Sequence, residues 1–241
     1  MSRECATDFK RLKEYLIGYS ISENIKQHEY ASSLKKMHKC YFSAVTWNAE
    51  LTHNKDIFFR LNSRCTNDII NRLSEAVSDL GSSLFNWSNG NYKASRVMLR
   101  ISIENFVKGV SGIEESDQLT EKRVYKLFET SAKQTIFTSC STVNKCYTNL
   151  HNDYKLLCED AHTATLQNMA HLSSLADLPK FEKNKSLKAS EVFIRTSKNI
   201  TVIFNILFNS FYQQMHHRNK ENIINCLSSE IKPFVVSPIK L

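Results

Sequence analysis

Residues 69–84 read IINRLSEAVSDLGSSL, and the spacing of the apolar positions in this stretch decides the fold class. Its apolar side chains recur at the i, i+3, i+4, i+7 spacing of a single helix face. They are Ile69, Ile70, Leu73, Val77, Leu80 and Leu84. The spacing predicts an amphipathic helix over about 55–88 that buries one stripe of side chains.

The same periodicity predicts three further long helices, over about 92–109, 143–164 and 186–218. Three more helices are expected at about 6–18, 23–50 and 120–135. At a rise of 1.5 Å per residue, a helix over 186–218 would be about 50 Å long. We therefore expect this last helix to frame one side of the molecule.

Residues that form turns are scarce, with 5 Gly and 3 Pro among 241 residues. Sandwiches and barrels need many turns, and turns use Gly and Pro. The sequence therefore predicts an all-α fold, an antiparallel helical bundle with a long C-terminal helix. We assign the bundle to 55–231, an N-terminal helical extension to 1–54 and a C-terminal tail to 232–241.

The formal net charge is +8, which favours an anionic partner, although no long basic run occurs. The N-terminus has no apolar core of a signal peptide, and no apolar stretch is long enough to span a membrane. The 7 cysteines form no CxxC pair, which is typical of reduced thiols. We expect a cytoplasmic protein that does not enter a membrane.

Two motifs suggest a family. Residues 99–105 read LRISIEN, and residues 154–162 read YKLLCEDAH. Together they resemble bacterial helical proteins of the HEPN type (higher eukaryotes and prokaryotes nucleotide-binding), which show Leu-Arg-x-x-Ile-Glu-Asn on one helix and Tyr-x-x-Leu-(Cys or Ser)-x-x-x-His on a later one. The resemblance implies an antiparallel bundle, often dimeric, in a defence or toxin–antitoxin module. The implied partners are a protein from the same defence operon, RNA, or both.

The chain departs from that family at its cleavage motif. Catalytic members carry Arg-x4-6-His with a polar residue after the Arg, and no Arg here is followed by His at that spacing. The nearest match runs from Lys155 to His162, with Leu156 at the polar position. A lysine lacks the planar fork through which arginine holds a phosphate by two hydrogen bonds.

The motif helices nevertheless supply a candidate site. Arg100, Tyr154 and His162 would form a composite catalytic site if the two helices pack side by side, because packed helix axes lie about 8–10 Å apart. Lys93, Arg96 and Arg100 share one helix face and would form a nucleic-acid-binding stripe. The alternatives are an Arg100–Glu104 ion pair on the helix surface and a solvated basic face.

The sequence predicts no metal and no cofactor. Cys158 and His162 stand at i, i+4, but neither His151 nor Cys140 or Cys146 completes a known zinc spacing. Packing of Cys158 as a small apolar side chain explains it better. Gly-rich phosphate loops, HExxH and GxSxG are all missing from the sequence.

The predicted C-terminal helix carries aromatic residues spread around its circumference. They are Phe193, Phe204, Phe208 and Tyr212. Because one helix face cannot hold all four, we predict a homodimer or assembly with a partner through this helix. Three functions stay open: an interaction protein that binds a protein partner or RNA, a metal-independent ribonuclease effector, and a generic helical scaffold.

Overall fold

Helices make up all of the regular structure that the computed structural model describes, which covers residues 2–18, 22–161 and 181–237. Across these ranges there are thirteen α-helices, one short 3-10 helix at Ser116–Leu119, and no strand. The α-helices are α1 (Arg3–Gly18), α2 (Ser22–Lys26), α3 (His28–His53), α4 (Lys55–Leu61), α5 (Asn67–Ser88), α6 (Tyr92–Ser111), α7 (Val124–Ser131), α8 (Thr135–Thr138), α9 (Ser141–Ala161), α10 (Lys183–Leu207), α11 (Asn209–Gln214), α12 (His217–Ile224) and α13 (Lys232–Val236). The predicted all-α fold, with bundle-like packing and a long helix near the C-terminus, is confirmed.

The tightest pairing is the hairpin of α5 and α6. A three-residue connection, 89–91, joins them, and Gly90 adopts the left-handed φ of 72° that glycine tolerates best. The Asn91 side chain then accepts a hydrogen bond from Ala94 N at 3.3 Å and caps the start of α6. The hairpin places α6 where α9 and α10 pack against it.

The long helix α10 lies inside the molecule and does not frame one side of it. It packs against α3, α5, α6 and α9, with α13 also in contact. Trp47 of α3 stacks on Phe204 with ring centroids 5.3 Å apart, and Phe106 of α6 meets Phe204 edge-on at 5.2 Å. Neighbouring helices therefore cover α10 on several sides.

The four aromatic side chains offered as a reason for dimerisation are all internal. Their exposed fractions are 0% for Phe193, 1% for Phe204, 3% for Phe208 and 1% for Tyr212. The expectation that they could not all face one intramolecular core was wrong, because α10 and α11 are enclosed by helices of the same chain. The homodimer stays a prediction without this support.

The helix predicted over 55–88 is divided. The amide of Asn62 donates to Phe58 O at 3.0 Å at the end of α4, and the Thr66 hydroxyl accepts from Ile69 N at 3.4 Å at the start of α5. The region predicted as one helix over 186–218 is also divided, at Phe208 and at Met215, whose backbone is extended. α10 itself is about 37 Å long at 1.5 Å per residue.

Described residues of both 2–53 and 232–237 belong to the same hydrophobic core as the segment 55–231. In the segment assigned to an extension, Tyr30 is buried and its hydroxyl donates to Ser88 O at 2.7 Å. In the segment assigned to a tail, Val235 of α13 is buried, and the Asn209 amide donates to Val235 O at 3.3 Å. Of the helices described, none is both long and apolar enough to cross a membrane.

Candidate functional site

The candidate site lies in the seam between α6 and α9, which pack side by side. Lys93, Arg96 and Arg100 are all on α6, and each side chain is partly exposed. Tyr154 is on α9 and half-buried. His162 lies outside the described residues. We use the name α6–α9 seam for Arg100, Tyr154 and Cys158.

Arg100 reaches across the seam to α9. Its Nη1 lies 4.0 Å from Cys158 Sγ, and its Nε is buried without a hydrogen-bond partner. Among the described carboxylates, none forms an ion pair with Arg100. Glu104, the alternative partner on the same helix, instead accepts from Lys108 Nζ at 2.7 Å. The seam therefore holds a guanidinium whose charge and donors are incompletely matched.

The side chain of Tyr154 lies near Arg100 and Cys158 in the same seam. Its ring packs on Phe128 of α7, with centroids 4.6 Å apart. Burial strongly raises the pKa of the Tyr154 phenol, its hydrogen bond with Cys158 raises it further, and the Arg100 charge opposes both effects. The phenol stays protonated near neutral pH, so it is suited to donate a hydrogen bond and not to remove a proton.

His151 occupies the preceding turn of α9. Its ring lies almost parallel to that of Phe128, at an angle of 8° and a centroid distance of 4.6 Å. Burial lowers the pKa of His151, and the charge of Lys155 lowers it further. The histidine is therefore a neutral, partly buried ring that packs against α7.

The seam suits an anion better than a metal. A guanidinium donates up to five N–H bonds, and a phosphate or carboxylate accepts two of them in parallel. Over residues 2–18, 22–161 and 181–237, no group of three or more His, Cys, Asp or Glu side chains is arranged to hold a metal ion. Cys146, one of the candidates for a zinc site, is buried, and burial raises its pKa to about 11.

The last residue of the first motif, Asn105, connects α6 to α5. Its Oδ1 accepts from Arg72 Nη1 at 3.0 Å, and its Nδ2 donates to Asp79 Oδ2 at 2.9 Å. Burial raises the pKa of Asp79, and the charges of Glu75 and Glu104 raise it further. This part of the motif stabilises the hairpin.

We expect Asp79→Asn to stabilise the protein increasingly as the pH rises. A carboxyl whose pKa is raised by folding contributes most below its ordinary pKa, about 4, and that contribution is lost as the pH rises through the raised value. The melting temperature of the variant should therefore gain on that of the wild type between about pH 4 and pH 7. A difference that does not change with pH would show that the Asp79 charge costs nothing in the fold.

Sequence analysis missed a line of three polar side chains at the N-terminal end. Cys5 Sγ lies 3.9 Å from His38 Nδ1, and His38 Nε2 lies 2.6 Å from Asp8 Oδ2. A thiol, an imidazole and a carboxylate in this order are the parts of a nucleophilic site. Here Cys5 is fully buried, and burial raises its pKa to about 11, so the thiol stays protonated. These contacts of Cys5 and Asp8 with His38 link α1 to α3.

Comparison of the chain with protein-family models, with curated proteins and with solved structures found no match. The likeness to the HEPN type consequently rests on the two motifs and on the helices that carry them.

Proposed function

We propose that the protein is an interaction protein that binds RNA in the α6–α9 seam, as a HEPN-like component of a bacterial defence or toxin–antitoxin module. It acts by binding and not by turnover. The observation that carries the proposal is Arg100, which is partly buried, has no carboxylate partner among the described residues, and has a buried Nε without an acceptor.

The buried Nε of Arg100, which has no acceptor, is costly in the free protein. A buried donor without an acceptor costs about 1–3 kcal/mol, and more when it is charged. A phosphate group would supply both the missing charge and the missing acceptors. The Tyr154 hydroxyl, which is next to Cys158, would donate to the same group.

The shape of α6 favours a polyanion over a single small ion. Lys93, Arg96 and Arg100 extend over about 10 Å of the helix axis. A nucleic-acid strand carries one phosphate about every 3.4 Å along its axis, so α6 can face more than one phosphate of the same strand. The net charge of +8 assists the approach of RNA.

Among the described residues of the seam, none is suited to catalyse the cleavage of RNA. Cleavage of RNA without a metal needs a group that removes a proton, and the raised pKa of Tyr154 prevents it from doing so near neutral pH. The spacing Arg-x4-6-His is also missing from the sequence. Binding without cleavage therefore fits these residues better than the ribonuclease alternative.

Arg100→Ala is expected to weaken RNA binding by about 10- to 100-fold, since a hydrogen bond to a charged group contributes about 1.5–3 kcal/mol. Fluorescence anisotropy with a labelled single-stranded RNA would measure the loss. Arg64→Ala removes the same charge from an exposed position between α4 and α5 and serves as the control. Arg100→Lys keeps the charge without the fork and should recover only part of the affinity.

Three results would contradict the proposal. They are a failure of the wild type to bind RNA, binding of RNA by Arg100→Ala as tightly as by the wild type, and shortening of the RNA on a denaturing gel. The last of these would favour the ribonuclease effector. Purification from the native host of a protein partner without RNA would favour the protein-binding alternative.

A further inference from the structure

An acidic groove lies between α7 and residues 114–121, which precede that helix. It consists of two hollows of about 400 and 440 Å³ that share part of their lining. We call the two hollows together the α7 groove. Five carboxylates and two lysines line the groove, in a protein whose net charge is +8. The three residues of the α6–α9 seam are not part of this lining, so the groove is a separate surface.

Some of these carboxylates are not neutralised by a cation of the same chain. The two lysines of the groove pair with Glu121 and Glu129. Across the described residues, no ion pair involves Glu114, Glu115 or Asp117. The Glu114 carboxylate accepts two backbone N–H groups at the start of α8. Glu115 and Asp117 are exposed and therefore offer two negative charges to a ligand.

Two buried glutamines give a second, independent indication of a ligand. Gln118, which is 6% exposed, lines one hollow, and Gln134, which is 4% exposed, lines the other. Gln118 Nε2 donates to Glu115 Oε2 at 3.3 Å. Gln134 Nε2 donates to Ser111 O at 3.2 Å. In both side chains Oε1 is buried and accepts no hydrogen bond from the described residues.

The orientation of each glutamine amide follows from the partner of its nitrogen. The Glu115 carboxylate and the Ser111 carbonyl group only accept hydrogen bonds, so each Nε2 must face its partner and each Oε1 must face away from it. A buried acceptor without a donor destabilises the free protein, and native structures leave few such atoms. Each hollow of the groove therefore contains an acceptor that needs a donor.

A cationic donor would serve the amide oxygens and the carboxylates together, because hydrogen bonds from a charged donor are the stronger ones. Over residues 2–18, 22–161 and 181–237, no group of three or more His, Cys, Asp or Glu side chains is arranged to hold a metal ion. An organic cation therefore fits the groove better than a metal ion.

A primary ammonium group has the donors that each hollow needs. It carries three N–H donors and no acceptor. One hollow is lined by Gln118, Glu115 and Asp117, which offer an amide oxygen and two carboxylates. The adjoining hollow is lined by Gln134 and Glu114, which offer an amide oxygen and a carboxylate. A slim alkyl chain with an ammonium group at each end would therefore match both hollows.

The lining of the α7 groove favours a free small polycation over the lysine side chains of a protein. Every described residue that lines the groove is polar or charged. Protein interfaces depend on aromatic and apolar anchors that are buried at their centre, and this lining has no apolar surface to receive them.

We propose that the α7 groove binds a linear polyamine whose terminal ammonium groups donate to the side-chain oxygens of Gln118 and Gln134. Glu115 and Asp117 attract the polyamine to a protein whose net charge otherwise repels cations. This binding does not depend on the binding of RNA in the α6–α9 seam.

Isothermal titration calorimetry of the full chain with spermidine, at low salt and without RNA, tests the proposal. We expect one spermidine to bind per chain. Butylamine, which has a single ammonium group, should bind at least about tenfold more weakly. Gln118→Ala and Gln134→Ala should each weaken the binding of spermidine by about tenfold or more, because each removes an acceptor for a charged donor.

A pair of variants at exposed positions tests the charge of the groove without altering the core. Glu115→Gln should weaken the binding of spermidine by about two- to fivefold, the usual effect of an exposed charge. Glu230→Gln removes the same charge from an exposed position between α12 and α13 and should leave the affinity unchanged.

Several results would overturn the proposal. They are a lack of saturable binding of spermidine, equal affinities for spermidine and butylamine, and unchanged affinity in Glu115→Gln. Binding of an acetylated and amidated tri-lysine peptide more than about tenfold tighter than spermidine would show that the groove receives a protein instead. Saturable binding of calcium chloride alone would show a metal site. If neither glutamine variant folds, the comparison of Glu115→Gln with Glu230→Gln decides.

Discussion

Replacement of Trp47 by alanine is expected to destabilise the protein by about 3–5 kcal/mol, the usual loss for a large buried aromatic side chain. Trp47 is fully buried, and its ring lies against Phe204, Phe211 and Tyr212. Its indole N–H also donates to Asn205 Oδ1 at 3.1 Å. The substitution therefore leaves a cavity and an unmet acceptor at the same place.

Urea denaturation followed by circular dichroism would measure this loss. Tyr125→Ala is the control, because Tyr125 is 70% exposed and its truncation should change the stability by about 0.5 kcal/mol or less. A loss below about 1 kcal/mol for Trp47→Ala would mean that the aromatic side chains of α10 and α11 are not packed within one chain. Dimerisation through these side chains would then regain its support.

Arg195→Ala is expected to destabilise the protein by about 2–3 kcal/mol, through the buried carboxylate that it would leave behind. Asp153 of α9 is almost fully buried and accepts from Arg195 Nε at 2.9 Å and from Thr196 Oγ1 at 3.0 Å. We place the cost below that of a fully buried pair, because the Arg195 side chain is 49% exposed and partly solvated.

A double-mutant cycle separates the two partners. Asp153→Ala alone should cost less than Arg195→Ala, because the half-exposed guanidinium can return to water. Adding Asp153→Ala to Arg195→Ala should recover part of the stability, since it removes the unpaired charge. If the double variant is less stable than Arg195→Ala, the cost does not come from a buried charge.

The sequence predicted the helices whose apolar side chains repeat at helical spacing along a single element. The stripe containing Ile69, Leu73 and Leu80 is buried in α5, as its period requires. The sequence pattern does not predict the break between α4 and α5. The break is marked by Asn62 and Thr66, two short polar side chains that cap helix ends here and also occur inside helices.

The burial of α10 and the contacts within the candidate site depend on tertiary packing, which a sequence pattern does not show. Periodicity identifies a helix but cannot tell a helix covered on one face from a helix covered on several. The sequence therefore predicts α10 as an outer helix with exposed aromatic residues, which the fold contradicts. The Arg100–Cys158 contact joins residues 58 positions apart, and the Asp153–Arg195 contact joins residues 42 positions apart. The motifs suggested that Arg100 and Tyr154 are neighbours, but only the fold shows that Glu104 binds Lys108 and leaves Arg100 without it.

The salt dependence of RNA affinity tests whether one charge in the α6–α9 seam, that of Arg100, contacts a phosphate of the RNA. The logarithm of the association constant for a single-stranded RNA falls with the logarithm of the salt concentration, with a slope of about −0.7 for each phosphate neutralised. We predict that Arg100→Gln makes this slope less steep by about 0.7, whereas Arg64→Gln leaves it unchanged. Equal slopes for the wild type and Arg100→Gln would show that Arg100 contacts no phosphate and would contradict the proposed site.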